Sequence, residues 1–270
     1  MGLPLHSPPA RRGFAWLRMG LATFVRRPLA FVGLFAFFLF SAILLMLLPW
    51  IGGLLGLSLL PMLTLGFMIA TRNTLAGQPI SALQLFDGFR TGSKAQRRAQ
   101  ALLCVAYGAG SVAVFMLAGW FDDGAFERFQ IARATPGTTW DDLAKLLADS
   151  RLGQGMLVRL GLAGLLSIPF WHAPALVHWA GQGALQSLFS STLALWRARG
   201  AFVCYALGWA GVMLLMALGI SALFLLGGQW VMGMLSMPIA LAVSAAFYVS
   251  LWFSFVDSFG DIASDEPSPP

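Results

Sequence analysis

An all-α, polytopic transmembrane helical bundle of about six spans is the fold that this sequence predicts, and three observations predict it. Of the 270 residues, 58% are hydrophobic and only 10% are charged, where a soluble domain carries about a quarter charged residues. The charges cluster between apolar runs and are not interspersed with them. Six of those runs, approximately 28–48, 51–71, 99–121, 156–179, 201–226 and 231–256, are long enough to span about 30 Å of hydrocarbon. Residues 1–260 read as a single transmembrane domain.

The elements follow in order. In 10–27, Arg11, Arg12, Arg18, Arg26 and Arg27 alternate with apolar residues, and Phe14, Leu17, Leu21 and Phe24 recur at helical spacing. That pattern predicts a helix lying in the membrane interface with its arginines toward anionic headgroups. Pro28 suits the first turn of the next helix. No signal-peptide pattern precedes the first apolar run and no small-residue cleavage site follows it, so it is expected to stay as a span. Pro49-Trp50-Ile51-Gly52-Gly53 predicts a tight hairpin between spans one and two, and Gly227-Gly228-Gln229-Trp230 another between five and six. In the 122–155 loop, Thr139 stands three residues before Asp142, a capping-box-like start. Trp140, Leu143 and Leu147 then share a face, so 139–150 reads as a short amphipathic helix at the outer boundary. Two further amphipathic segments are expected on the inner surface: 80–90 with Leu83, Phe86 and Arg90, and 184–199 with Leu185, Leu188, Leu195 and Trp196. The 261–270 tail, ending Pro-Ser-Pro-Pro, reads as disordered.

Basic residues set the expected orientation. Twelve of the seventeen Lys and Arg fall in 1–27, 72–98 and 180–200, against four in 122–155. That places both termini in the cytoplasm. Acidic residues affect orientation weakly, so Asp257, Asp261, Asp265 and Glu266 do not oppose it. Trp50, Trp120 and Trp230 fall at the predicted outer boundary, with Trp179 and Trp196 near the inner one, as an aromatic belt would.

An offset of one hundred residues pairs Arg97 with Arg197, Cys104 with Cys204, Gly108 with Gly208 and Met116 with Met216; Ala76-Gly77-Gln78 resembles Ala180-Gly181-Gln182. Spans two–three and four–five therefore read as two copies running in the same direction, a parallel repeat about the membrane normal. Gly108 and Gly208 are expected at equivalent close approaches.

Chemistry is sparse. The sequence lacks a His-Glu-x-x-His pair, a Walker loop, a dinucleotide fingerprint and a Gly-x-Ser-x-Gly elbow, so no catalytic, cofactor-binding or metal residue is assigned. The net charge of +6 reads as an orientation signal, with no nucleic-acid partner. The two cysteines lie in apolar runs and indicate no disulfide framework. Arg159 is expected to snorkel to the outer interface. His172 and His178, around Pro169 and Pro174, are the candidate intramembrane polar site, though six residues is not a helical metal-pair spacing. Arg97, Arg98, Arg197 and Arg199 are the candidate contacts for lipid or a partner.

Gly13-Phe14-Ala15-Trp16-Leu17, Arg27-Pro28, Pro49-x-x-Gly52, Pro61, Leu85-Phe86-Asp87-Gly88-Phe89-Arg90 and Trp171-x-x-Pro174-Ala175-Leu176-Val177 extend over nearly the whole chain. On these motifs it resembles a family of uncharacterised multi-pass inner-membrane proteins of proteobacteria. The resemblance implies an inner-membrane protein and transfers no site residues. The expected function is non-enzymatic, through contacts with membrane lipids or membrane-protein partners. A small transporter of a neutral or apolar solute is the alternative, and a lipid-modifying enzyme the third reading.

Overall fold

The computed structural model describes residues 5–49 and 51–260, without the side chains of residues 140 and 223–233. The expectations for Trp50, for the side chains of Trp140 and Trp230, and for the 261–270 tail with its acidic residues lie outside the described residues. The elements in order are α1 (Arg12–Arg26), α2 (Pro28–Met46), α3 (Gly52–Ser58), α4 (Leu60–Leu75), a 3-10 helix (Ala82–Phe86), α5 (Asp87–Arg90), α6 (Lys94–Asp122), α7 (Ala125–Ala134), α8 (Trp140–Leu147), α9 (Ser150–Phe170), α10 (Ala173–Ala180), α11 (Ala184–Arg197) and α12 (Arg199–Phe259). No strand occurs among the described residues. Helices satisfy their own backbone hydrogen bonds, as hydrocarbon requires.

Among the described residues, six stretches are long and apolar enough to cross a membrane: Pro28–Met46, Gly52–Leu75, Lys94–Asp122, Ser150–Ala180, Arg199–Ala222 and Met234–Phe259. The last two are the arms of α12. Tyr205 Oη lies 2.5 Å from Ser250 Oγ, and the rings of Trp209 and Phe247 are 5.4 Å apart. In a straight helix these pairs would be separated by roughly 55–70 Å. The chain therefore doubles back within α12, between its two arms. The segment before α1 meets the end of α12, since the His6 amide donates to the Ser258 carbonyl at 2.9 Å.

The first helix is not an isolated surface helix. Its buried face is Gly13, Trp16, Gly20 and Thr23, while Phe14 is exposed. A Cβ on Gly13 would fall on the Ala201 carbonyl, and one on Gly20 on Ser250. These glycines let α1 lie against both arms of α12, the close approach that small residues permit between membrane helices. Of the apolar residues at helical spacing, Leu17, Leu21 and Phe24 are half-buried against the bundle, and the glycines beside them make the closest approach without carrying a hydrophobic signal.

The 80–90 segment also differs from expectation. A 3-10 turn and the single-turn α5 replace an amphipathic helix, and Leu85 backs onto Gly66 with Gly88 against Met62. The segment thus folds back along α4. Leu83 is exposed and Leu85 is the buried anchor. In α11, Leu195 is buried while Leu185 and Trp196 are exposed. Trp120 is exposed, but Trp179 packs on Trp252 and Phe255, with ring separations of 5.2 and 5.4 Å.

Residues paired at the hundred-residue offset, and the glycines near them, have the following places. Gly77 (φ 74°) and Gly181 (φ 64°) both adopt the left-handed conformation directly after α4 and α10, the helix-ending role of a C-terminal glycine. Gly108 and Gly208 both lie at close approaches, but Gly108 faces Ser58 and Leu54 whereas Gly208 faces Leu17 and Phe14. Arg97 lies in the first turn of α6 and Arg197 ends α11, so those arginines are not equivalent.

Candidate functional site: the break in span four

Span four is two helices. Pro169, inside the last turn of α9, has no N–H to donate, and α10 restarts with Pro174 near its beginning. Proline removes a ladder bond and clashes with the preceding turn, so the helix opens at Trp171 and His172. Backbone groups freed inside a bundle need new partners. Ser191 of α11 supplies them: its hydroxyl donates to the Ile168 carbonyl at 3.1 Å and accepts the His172 amide at 3.0 Å. Two glutamines of α6, one turn apart, satisfy carbonyls along α10. Gln100 donates to Pro174 at 2.8 Å. Gln96 donates to Val177 at 3.2 Å and His178 at 3.0 Å.

His172 is fully buried. Its Nε2 lies 3.0 Å from Ser254 Oγ, which also accepts the Trp171 indole N–H at 3.3 Å. Ser254 directs its own proton to the Leu251 carbonyl at 2.8 Å. Its oxygen must then accept from the imidazole, which assigns the Nε2–H tautomer and leaves Nδ1 as a buried acceptor without a partner. The imidazole is ringed by Phe202, Phe255 and Phe259 at 5.5–6.0 Å. His178 instead packs on the Trp179 ring at 5.3 Å. The two histidines have different surroundings and do not form one site. No cluster of three or more His, Cys, Asp or Glu able to hold a metal occurs among the described residues. Cys104 and Cys204 are free thiols.

Beside the break lies a cavity of about 180 Å³ walled by Thr64, Tyr107, Ser167, Trp171, Phe247 and Tyr248, among others. Ser167, Trp171 and Phe247 also border a second cavity of about 250 Å³ toward Phe202 and Tyr205. Trp171 and Phe247 meet edge to face at 6.0 Å and 88°, so this ring pair stands between the two spaces.

Arg159 does not snorkel. It is ion-paired with Asp122 at 2.5 Å, their side chains only 12% and 0% exposed, and its guanidinium lies 4.2 Å over the Phe126 ring. Asp122 also accepts the Gly124 and Phe126 amides. The closeness of Gly155 to Asp122 brings α6 and α9 together there. Arg97, Arg98, Arg197 and Arg199 are all exposed, with Arg199 5.7 Å from the Trp196 ring. Sequence reasoning missed Ser191, Ser254, Tyr107 and Tyr248. The Pro169–Pro174 pair together with Gln96 and Gln100 was the available signal.

Over 262 residues the chain is 31% identical to a probable inner membrane protein of Burkholderia thailandensis, an alignment covering 97% of this chain and 94% of the relative. It belongs to this family of inner membrane proteins. No family model matches the chain, and no solved structure matches it. A multi-pass inner membrane protein accounts for the six apolar helices and for the way the break in span four is sealed by hydroxyl and amide side chains from its neighbours.

Proposed function

We propose that this inner membrane protein is non-enzymatic and acts through its basic end, contacting anionic lipid headgroups or the acidic segment of a membrane-protein partner, with both termini in the cytoplasm. One observation carries the reading. Most of the charge within the bundle is matched internally, Arg159 by Asp122 and Asp257 by Arg12, while Arg97, Arg98, Arg197 and Arg199 remain exposed. Each Lys or Arg near an anionic leaflet contributes about 1 kcal/mol of attraction, so four together retain a headgroup.

Replacing the four arginines with Gln, in a chain whose other basic residues still fix orientation, tests this. Loss of co-purifying anionic lipid supports the reading. Loss of an acidic protein instead moves it to the partner. Unchanged lipid and protein leave the arginines with a topological role alone. Single cysteines in 72–98 and 122–155, labelled by an impermeant reagent in intact cells, check orientation. Labelling of 72–98 but not 122–155 inverts it.

The discontinuous span four favours a second reading, transport of a neutral solute, because transporters bind substrate at broken helices.

A further inference from the structure

Four hydroxyl residues, Thr64, Tyr107, Ser167 and Tyr248, border the cavity beside the break. Thr64 and Ser167 commit their protons to the Leu60 and Gly164 carbonyls, at 3.2 and 2.7 Å, so they offer lone pairs only. Tyr107 and Tyr248 are different: both border this cavity, and neither phenolic oxygen hydrogen-bonds to another described residue. Tyr205 provides the internal contrast, its hydroxyl bonded to Ser250 as a purely structural buried tyrosine requires. Two unspent phenols bordering one space each offer a donor and an acceptor.

The rest of the wall sets the remaining requirements. Phe170, Trp171 and Phe247 present aromatic surface, suited to a ring packed face or edge on. Among the described residues, no charged side chain borders the cavity, so an ionised ligand would be desolvated without a counter-charge. Its volume of about 180 Å³ is close to the ~150 Å³ at which an engineered apolar cavity takes up benzene.

We propose that this cavity is a binding site for one small, neutral, ring-bearing alcohol of phenol size, its hydroxyl held between Tyr107 and Tyr248 and its ring against Trp171 and Phe247. The site goes beyond the lipid-contact reading and stands without it. It also names the solute class that the transport reading requires, and binding is measured without any flux.

The full chain in lipid nanodiscs, titrated with 4-fluorophenol and followed by fluorine NMR, tests it, with protein-free nanodiscs correcting for partition into lipid. The expected result is saturable uptake by one site, with fluorobenzene, which has the ring but no hydroxyl, at least tenfold weaker. Tyr107→Phe with Tyr248→Phe keeps the ring packing and should weaken 4-fluorophenol at least tenfold while leaving fluorobenzene unchanged. Ser167→Phe, which fills the space, should abolish both. Uptake no greater than in protein-free discs overturns the site. Equal affinity for the two probes in the unaltered chain overturns the role of the hydroxyls, whether or not the double variant folds.

Discussion

The Arg12 guanidinium and the Asp257 carboxylate meet through two hydrogen bonds of 2.6 Å, and the Trp16 indole donates to the same carboxylate at 2.6 Å. One carboxylate thus ties the first helix to the last turns of the last span. The side-chain hydrogen bond to Asp257 raises the Arg12 pKa above its already high ordinary value, so the guanidinium keeps its charge. Asp257→Ala leaves the fully buried Trp16 N–H without its acceptor. The expected loss is about 1–3 kcal/mol, seen as a lower thermal midpoint in detergent. Asp257→Asn, whose amide oxygen still accepts the indole, should lose less.

Ser191 closes the break in span four from a different helix. Ser191→Ala strips partners from the Ile168 carbonyl and the His172 amide, at a cost of about 1–3 kcal/mol. Hydrogen exchange at the His172 amide should accelerate while the amides of α4 keep their protection. Uniform acceleration across the bundle would mean that Ser191 has no specific role at the break.

The Arg159–Asp122 pair is nearly dry, so removing one partner is worse than removing both. Arg159→Met strands a buried carboxylate at a cost of about 3–5 kcal/mol. Adding Asp122→Leu should restore much of that loss, because a buried pair replaced by apolar groups is often neutral. A double-mutant cycle by thermal unfolding reads the coupling, and additive losses would rule it out.

Hydrogen bonds from the Thr139 hydroxyl and amide hold the Asp142 carboxyl below its ordinary value of 3.8. A depressed carboxyl contributes stability above its unfolded pKa and loses it as the pH falls through the lower folded value. The amides of α8 should therefore lose exchange protection only in strong acid. Asp142→Asn should remove that acid dependence, as followed by hydrogen exchange.

Composition and the lengths of the apolar runs determined the membrane class and six helices, because lipid leaves few other ways to satisfy a backbone. Thr139 with Asp142 marked the start of α8, since caps depend on a few adjacent residues. Only the tertiary structure decided which face of α1 is buried, because Gly13 and Gly20 act by the side chains they lack. It alone paired Arg159 with Asp122, residues 37 apart in sequence, and brought Ser191 and Ser254 to the break at Pro169. The same holds for Tyr107 and Tyr248. An apolar helix carries little periodicity to say which of its sides meets protein and which meets lipid, so the partners of its few polar residues are set by helix packing.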